Sequence, residues 1–326
     1  LWFVVAKKIR ISVRAVWGRW IRSFALRVVI TGGAGFIGHH LASHLLDRGH
    51  DVIIVDDFRT NPLASPLGRI LACSVSDITP RDIEGVDVVY HLAADKSVPE
   101  SFVRPFDFIE NVNSAAHLLS VARMVETPRV IIASTCEVYG VASVIPTAEN
   151  THLAPRSPYA QSKAAMEYVA RVFQAESSAI NTTIIRLFNI YGPAERPDAV
   201  VPSFCRRVIQ GDPLIIEGDG SQRRDFTYVS HAVDILAKIA ALATPVPVIN
   251  VGSGISYSIN ELVEHIRKIV PDLQTDYVQE RLNEIQDYRA DTDLLRQMVA
   301  IEEPSEDAFT EGLRATLDWW SRSHCC

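Results

Sequence analysis

Tyr159 and Lys163 are spaced four residues apart in a segment with helical periodicity. Residues at this spacing lie on one face of a helix, one turn apart. A tyrosine hydroxyl has a pKa of about 10 and is a poor base at neutral pH. A nearby ammonium group favours the phenolate and lowers that pKa. The pair therefore predicts a tyrosine that can exchange a proton with a hydroxyl group of a bound molecule.

A short polar loop lies upstream of this pair, after the apolar run RVIIA. It contains Ser134, Thr135, Cys136 and Glu137. A carboxylate can remove a proton from carbon, and a thiol with a pKa of about 8.5 is mostly protonated at neutral pH and can donate one. Glu137 and Cys136 are therefore residue types that could act as a base and as a proton donor. The alternative is that Cys136 only fills the loop and that Glu137 only supports it.

Three glycines, Gly32, Gly35 and Gly38, lie between a short apolar strand and a predicted helix. Glycine at these positions allows a tight turn, close approach of a diphosphate, and binding of that diphosphate at the helix N-terminus. Asp56 ends the next predicted strand, where a carboxylate accepts the ribose hydroxyls and repels a 2′-phosphate. The pattern predicts an NAD site rather than an NADP site, with Arg59 as the opposing signal.

Predicted strands and helices alternate along the chain between these residues. Short β-branched runs such as DVIIVDD are followed by helical patterns such as NVNSAAHLLSVARMV. Such alternation is typical of a parallel sheet that helices cover on both faces. We therefore predict an α/β fold, a Rossmann-type doubly wound parallel sheet, over residues 26–186 and about 227–252. A smaller C-terminal substrate-binding lobe is predicted over about 187–226 and 253–322.

Composition excludes several classes of protein. The 326 residues include 32 basic and 39 acidic residues, a net charge of −7, which argues against a nucleic-acid binder. No apolar run has the roughly 18–20 residues that a membrane span needs. The five cysteines form no C-x-x-C pair, and His40 and His44 lack a third ligand, so we predict no metal site. A reducing, cytoplasmic location is the simplest expectation.

The first 25 residues differ from the rest of the chain because they are basic and contain no acidic residue. We expect this segment to be an extension outside the fold. A helix that binds a membrane surface is the alternative, since aromatic residues are interspersed among the bases.

Taken in order, the motifs resemble those of the extended short-chain dehydrogenase/reductase family, the nucleotide-sugar epimerases and dehydratases. The motifs are TGGAGFIG, YHLAA, STCEVYG, SPYAQSK, RLFNIYGP and GDGSQRRDFTYV. The resemblance implies an NAD cofactor, a nucleotide-sugar substrate and a catalytic triad of Thr135, Tyr159 and Lys163. It also implies a homodimer that pairs helices near residues 111–126 and 159–178.

The same resemblance assigns further residues to the two ligands. Cofactor contacts are implied for Phe36, Ile37, Asp77, Leu92, Ala93, Ala94, Lys96 and Asn111, together with the glycines, Asp56, Tyr159 and Lys163. Substrate contacts are implied for Thr135, Asn189, Val201, Arg224 and Arg281. Two arginines suit a diphosphate because each can donate bidentate hydrogen bonds.

The reaction within the family depends on the loop at Cys136 and Glu137. Together with RLNEI and neighbouring motifs, this loop resembles the 5,6-dehydratases that act on UDP-N-acetylglucosamine in antibiotic pathways of the tunicamycin type. That branch implies C5 proton removal by Glu137 and assistance by Cys136 to the departing C6 hydroxyl. A UDP-sugar 4-epimerase and a nucleotide-sugar 4,6-dehydratase are the alternatives. A non-catalytic NAD-binding regulatory protein is a more distant one.

Overall fold

The computed structural model describes residues 25–59, 67–176, 180–280, 285–301 and 304–323. The basic extension, apart from its last residue, and the predicted substrate ligand Arg281 lie outside the described residues. Among the described residues, no helix has the length and apolar character that crossing a membrane requires.

The described strands and helices alternate through the first half of the chain, as the sequence predicts. The strands are β1 (Arg27–Thr31), β2 (Asp51–Asp56), β3 (Arg69–Ala72), β4 (Val88–His91), β5 (Arg129–Thr135), β6 (Asn181–Leu187), β7 (Asn189–Tyr191), β8 (Leu214–Glu217), β9 (Arg223–Tyr228), β10 (Val248–Val251), β11 (Ser256–Ser258), β12 (Thr275–Val278) and β13 (Asp287–Tyr288). The helices are α1 (Phe36–Leu46), α2 (Pro80–Ile83), α3 (Val98–Val103), α4 (Glu110–Met124), α5 (Pro158–Glu176), α6 (Val200–Gln210), α7 (Val229–Ala240), α8 (Ile259–Arg267), α9 (Asp293–Met298) and α10 (Glu306–Ser323).

The main sheet has seven parallel strands in the order β10-β6-β5-β4-β1-β2-β3. Its central strands are continuous β-branched runs because both of their faces are buried. The strand order reverses between β1 and β4, and a crevice opens there at the carboxyl ends of the strands. The predicted Rossmann-type fold is confirmed.

Helices cover both faces of the main sheet and bury its side chains in two apolar layers. On one face, Leu41 of α1 and Ala232 of α7 pack on the sheet, and Leu295 of α9 joins the same layer. On the other face, Leu118 of α4 and Met166 of α5 are buried. Both layers are closely packed, so the ends of the strands are held as a rigid platform.

A smaller group of elements beyond β7 has an apolar core of its own. Strand β9 pairs with β7, β11 and β13, and β8 pairs with β12. The rings of Tyr257 and Phe309 stack with their centroids 4.2 Å apart, and Tyr191 packs edge-on against Phe309. Buried Asp225 accepts hydrogen bonds from the backbone N–H groups of Ser253, Gly254 and Ala290. This carboxylate thereby ties the central strand of the lobe to two neighbouring loops.

Candidate active site

The glycine turn follows β1 and is shaped by close backbone contacts. Gly32 has a φ of +69°, and a Cβ at this position would lie 2.7 Å from the Ala93 nitrogen. A Cβ on Gly38 would lie 2.2 Å from the Gly32 carbonyl oxygen, so only glycine fits there. No side chain caps the start of α1 at Gly35. The first N–H groups of this helix are therefore available to an anionic group.

A cavity of about 270 Å³ lies against this turn, at the switch point of the sheet. Its lining contains nearly all of the residues predicted to bind the cofactor: Gly32, Gly35, Phe36, Ile37, Gly38, Asp56, Leu92, Ala93, Ala94, Lys96, Asn111, Tyr159 and Lys163. Asp77 is exposed, and the cavity lining beside it is formed by Cys73, Ser74 and Val75. The contact of Asp77 with the cofactor stays a prediction. The glycine turn, the uncapped N-terminus of α1 and the cavity beside them fit a dinucleotide.

Asp56 lies at the end of β2 and is held by the glycine turn. Its carboxylate accepts hydrogen bonds from the backbone nitrogens of Ala34, at 3.0 Å, and Phe58, at 2.9 Å. The opposing cation, Arg59, is paired with Asp57 through an Nε–Oδ2 contact of 2.6 Å. This part of the cavity therefore presents the Asp56 carboxylate to a ligand. The Arg59 guanidinium group is already paired with Asp57.

Lys96 lies in the loop that follows β4, and Asn111 of α4 is hydrogen bonded to the same loop. The Asn111 side chain accepts a hydrogen bond from the Asp95 nitrogen and donates to the Asp95 oxygen and to Ser162 of α5. Asn111 therefore fixes this loop to the helix that carries the tyrosine. The Lys96 ammonium lies 5.7 Å from the centre of the Phe36 ring, at the start of α1.

Tyr159 and Lys163 lie in the first turns of α5 and are both buried. The Lys163 ammonium donates a hydrogen bond of 2.9 Å to the Ala133 carbonyl, and burial lowers its pKa to about 8. Burial also raises the pKa of Tyr159, whereas a hydrogen bond with Thr135 and the charge of Arg196 lower it. The phenol is therefore protonated in the ligand-free protein, and proton transfer requires additional positive charge beside it.

The polar loop after β5 forms a short 3-10 turn, Cys136–Tyr139. The Thr135 hydroxyl accepts a hydrogen bond of 3.2 Å from the Glu137 nitrogen, which fixes the start of the turn. Thr135 also contacts Tyr159, so the tyrosine lies beside the turn. Burial and the Glu137 carboxylate raise the pKa of the Cys136 thiol well above its usual value. The turn therefore places a neutral thiol and a half-buried carboxylate next to the tyrosine.

A network of buried hydrogen bonds and an ion pair supports this turn on the side of β6 and α5. Arg186 of β6 forms an ion pair with Glu167 of α5, and Glu167 also accepts a 2.6 Å hydrogen bond from Ser134. Arg186 donates a further hydrogen bond to the Tyr139 hydroxyl, which in turn donates to Asn250. Ser134, which immediately precedes Thr135, is thus a structural residue of this network.

His91, at the end of β4, is also structural. Its Nδ1 atom is hydrogen bonded to the Thr31 hydroxyl at 2.9 Å. Burial lowers its pKa to about 3, so the imidazole is neutral and maintains the junction between β1 and β4. His40, which the sequence leaves without metal partners, is hydrogen bonded to the Pro193 oxygen at 2.9 Å.

The predicted substrate residues come from the smaller lobe and the strand leading to it. The Asn189 Oδ1 atom, at the start of β7, is buried without a hydrogen-bond partner among the described residues. Val201 is buried in α6. Arg224 donates hydrogen bonds of 2.8 Å to the carbonyls of Arg223 and Ile285. Its positive charge also lowers the pKa of the Cys136 thiol, against the larger effect of burial. Arg224 therefore lies near the turn Cys136–Tyr139 as well as in the lobe.

Two residues near the site are absent from the sequence prediction. Arg196, in the loop between β7 and α6, lines the cofactor cavity and lowers the pKa of Tyr159. Tyr288 of β13 packs with Cys136 in one buried cluster. Arg196 lies in the segment ERPDAVVP and Tyr288 lies three residues after the motif RLNEI, but neither residue type by itself predicts a position in the site.

A model of the "NAD dependent epimerase/dehydratase family" matches residues 28–252 of the chain. A curated relative, the "UDP-N-acetyl-alpha-D-glucosaminuronate decarboxylase" of Bacillus cytotoxicus, is 34% identical over 319 residues, covering 90% of this chain and 97% of the relative.

Two solved structures are similar over almost their whole length. The NAD-dependent NDP-hexosamine 5,6-dehydratase TunA, involved in tunicamycin biosynthesis, is 44% identical with a TM-score of 0.87, covering 91% of this chain and 98% of its own. The UDP-N-acetylglucosamine 4-epimerase of Methanobrevibacter ruminantium is 32% identical with a TM-score of 0.86, covering 92% and 99%. The similar proteins therefore include a decarboxylase, a dehydratase and an epimerase.

Proposed function

The chain belongs to the NAD-dependent epimerase/dehydratase family, and on this premise we propose that it is a 5,6-dehydratase of UDP-N-acetylglucosamine. The membership itself makes it an NAD-dependent enzyme of the group that contains nucleotide-sugar dehydratases, epimerases and decarboxylases. The specific reaction and the sugar are our proposal.

The observation that carries this proposal is the juxtaposition of the Cys136–Glu137 turn with Tyr159. An epimerase needs only the tyrosine and its partners, because it removes and returns hydrogen at a single carbon. A dehydratase also needs a base for the C5 proton and benefits from an acid near O6. A carboxylate and a neutral thiol are adjacent to the tyrosine, which is what the additional step requires. The 44% identity to TunA supports the same choice.

The first step we propose is oxidation at C4 of the sugar. Tyr159 removes the proton of the C4 hydroxyl, with Thr135 hydrogen bonded beside it. NAD⁺, when bound, accepts hydride from C4 and later returns it. Lys163, one helical turn from Tyr159, supplies positive charge in the same cavity, and the charge of Arg196, which also lines that cavity, lowers the tyrosine pKa. The glycine turn at Gly32 and Gly38 and the Asp56 carboxylate would hold the cofactor.

The second step is elimination of water across C5 and C6. The C4 ketone makes the C5 proton acidic, and the Glu137 carboxylate removes it. The C5–C6 double bond forms as the C6–O bond breaks, and the Cys136 thiol, which is held in the protonated form, donates its proton to the departing hydroxyl, which leaves as water. The C5 proton then passes from Glu137 to the Cys136 thiolate, so both groups return to their starting states. In the last step Tyr159 returns its proton to the C4 oxygen as C4 is reduced again. The product keeps its C4 hydroxyl and carries an exocyclic 5,6-alkene.

We further propose that Asn189, Val201, Arg224 and Arg281 bind the UDP group. The Asn189 oxygen, which has no hydrogen-bond partner among the described residues, and the Arg224 guanidinium group support this assignment. The overall charge of the chain is negative, so local cations and N–H groups must provide the attraction for the diphosphate.

A UDP-sugar 4-epimerase is the second candidate because a 4-epimerase is 32% identical over almost the same length. One assay separates the two. Purified protein is incubated in deuterated water with UDP-N-acetylglucosamine, and with UDP-glucose and dTDP-glucose for comparison, and products are followed by mass and NMR spectra. Loss of one water with a new alkene signal supports the proposal. An isomer of unchanged mass indicates an epimerase, and a 4-keto-6-deoxy product indicates a 4,6-dehydratase.

The outer face of α4 and α5 supports a homodimer. Apolar side chains there and on the preceding segment are exposed, including Phe106, Ile109, Met124 and Tyr168. A second copy of the chain would bury this patch by a symmetric contact. Sedimentation equilibrium should give twice the chain mass. Tyr168→Glu should shift the protein towards the monomer, whereas exposed Tyr277→Glu, in the other lobe, should not.

We also propose a cytoplasmic location. In the part of the chain that the structure describes, Cys73, Cys136 and Cys205 are free thiols, which suits a reducing compartment.

A further inference from the structure

We propose that Tyr288 is a positioning residue that connects the guanidinium group of Arg224 to the carboxylate of Glu137. The inference rests on the proposed function, because Glu137 acts as a base only if the enzyme dehydrates its substrate. In this arrangement the ring of Tyr288 supports the arginine, and the hydroxyl donates a hydrogen bond to the carboxylate when substrate is bound.

Strand pairing puts Tyr288 beside Arg224. Strand β13 runs parallel to β9, and in their register Tyr288 is the direct partner of Arg224. The Arg224 guanidinium carbon lies 5.4 Å from the centre of the tyrosine ring, a distance typical of a cation–π contact. The arginine also donates to the Ile285 carbonyl, so it is held from the same segment of chain. The Tyr288 ring therefore packs against the Arg224 guanidinium group and restricts its position.

The hydroxyl of Tyr288 points away from solvent and towards the turn after β5. The side chain is 3% exposed and packs with Cys136, Phe188 and Ile285. Among the described residues its hydroxyl makes no close hydrogen bond, although an unsatisfied buried hydroxyl costs free energy. The carboxylate that faces this hydroxyl is Glu137, which raises the pKa of Tyr288 together with burial.

These two observations fit a donor that forms its hydrogen bond to Glu137 only once its own ring is fixed in place. Burial keeps the Tyr288 phenol protonated, so it can donate a hydrogen bond throughout the reaction. An ionised carboxylate only accepts hydrogen bonds, and such bonds are stronger than those between neutral groups. Catalytic hydrogen bonds are often long in the free enzyme and shorten in the substrate complex. Binding of a diphosphate by Arg224 would fix the ring and thus the hydroxyl.

The groups that face Glu137 come from three elements. They are the Cys136 thiol in the same turn, the Tyr159 phenol on α5, and the Tyr288 phenol on β13, with the Arg224 charge beyond the last of these. Removal of the Tyr288 hydroxyl would change no charge in this set. It would only withdraw a donor that stabilises the ionised form of Glu137, so the carboxylate would bind its proton more readily.

The test uses Tyr288→Phe in the full-length enzyme, with dehydration and C4 oxidation measured separately. We expect kcat for dehydration to fall about tenfold and the acid limb of its pH profile to move up by about one unit. The KM for the UDP-sugar should stay unchanged because the ring still packs on Arg224. C4 oxidation, followed by the absorbance of reduced nicotinamide in single turnovers, should also stay unchanged.

A second variant separates the ring from the hydroxyl. Tyr288→Leu should show the same change in pH profile. It should also show a several-fold higher KM, since Arg224 loses its contact with the aromatic ring. Tyr191→Phe is the matched control, because this buried tyrosine of the same lobe donates instead to the Phe309 carbonyl. It should leave the pH profile and KM as in the wild type.

An unshifted acid limb in folded Tyr288→Phe, shown by normal C4 oxidation, would overturn the positioning role. An equal loss of oxidation and dehydration would reduce Tyr288 to a structural residue. If the wild type itself forms no alkene from any UDP-sugar, the proposed function fails, and the role of Tyr288 fails with it.

Discussion

Glu167 and Arg186 form a bidentate ion pair in the interior of the protein. The Arg186 Nε and Nη2 atoms lie 2.9 and 2.7 Å from the two carboxylate oxygens of Glu167. Each side chain is 1% exposed. The pair joins α5, which carries Tyr159 and Lys163, to the strand next to β5, and Ser134 is bound to the same carboxylate. The helix and the turn of the active site therefore share one buried anchor.

Glu167→Gln should be strongly destabilising, because it leaves a buried guanidinium group without its counter-charge. We expect a loss of about 3–5 kcal/mol in the free energy of unfolding, measured by denaturant titration. Arg171→Ala is the matched control. Arg171 pairs with the same carboxylate but is 51% exposed, so its removal should cost less than about 1 kcal/mol. Equal costs for the two variants would contradict an anchoring role for Arg186.

Glu137→Gln should stop dehydration without stopping C4 oxidation. The amide keeps the size of the side chain and leaves the Glu137 nitrogen bound to Thr135, but it cannot accept the C5 proton. We expect dehydration to fall by about two to four orders of magnitude, as for other general bases. Reduced nicotinamide should then accumulate in the presence of UDP-N-acetylglucosamine. A variant that still forms alkene at the normal rate would remove Glu137 from the mechanism.

Cys136→Ser and Cys136→Ala test whether the thiol helps the C6 hydroxyl to leave. Serine retains a proton donor of similar size, whereas alanine has none, so dehydration should be slower in the alanine variant. A substrate with fluorine in place of the C6 hydroxyl needs little help from an acid, and the two variants should differ less with it. If both substrates are slowed equally in Cys136→Ala, the thiol acts only through packing.

Lys163 should make stability depend on alkaline pH. Burial lowers its pKa from 10.5 in the unfolded chain to about 8 in the folded protein, so folding with the charged amine is unfavourable. This cost is complete below about pH 8 and disappears as the pH rises to about 10.5. Lys163→Met should therefore be more stable than the wild type at neutral pH, by about 2 kcal/mol after loss of the hydrogen bond to Ala133. A stability difference that is constant across this range would contradict the lowered pKa.

Asp57 should contribute to the choice of NAD over NADP. Its carboxylate holds the Arg59 side chain at 2.6 Å and so keeps that cation from a 2′-phosphate. In Asp57→Ala the guanidinium group is released, and we expect the affinity for NADP to rise about tenfold relative to NAD. Calorimetric titration of both nucleotides measures this ratio. The double variant Asp57→Ala, Arg59→Ala should lose the gain; if it keeps the gain, Arg59 is not the group that binds the phosphate.

The sequence by itself determined the fold class and the cofactor. The turn at Gly32 to Gly38, the β-branched runs and the acid at Asp56 are local signals, because each depends on backbone conformation or on a single strand–turn–helix unit. Family membership and NAD dependence, inferred from the motifs, are confirmed by the family match over residues 28–252. The roles proposed for Cys136 and Glu137 remain predictions.

Only the tertiary structure decided which distant residues surround the site. Arg186 lies 19 residues from Glu167, and Tyr288 lies far along the chain from Glu137, so no spacing rule brings either pair together. The buried ion pair depends on β6 packing beside α5, and Tyr288 reaches the turn because β13 pairs with β9. The pKa shifts of Lys163 and Cys136 likewise come mainly from burial. Desolvation depends on how the whole chain packs, and for that reason residue type and spacing alone do not reveal it.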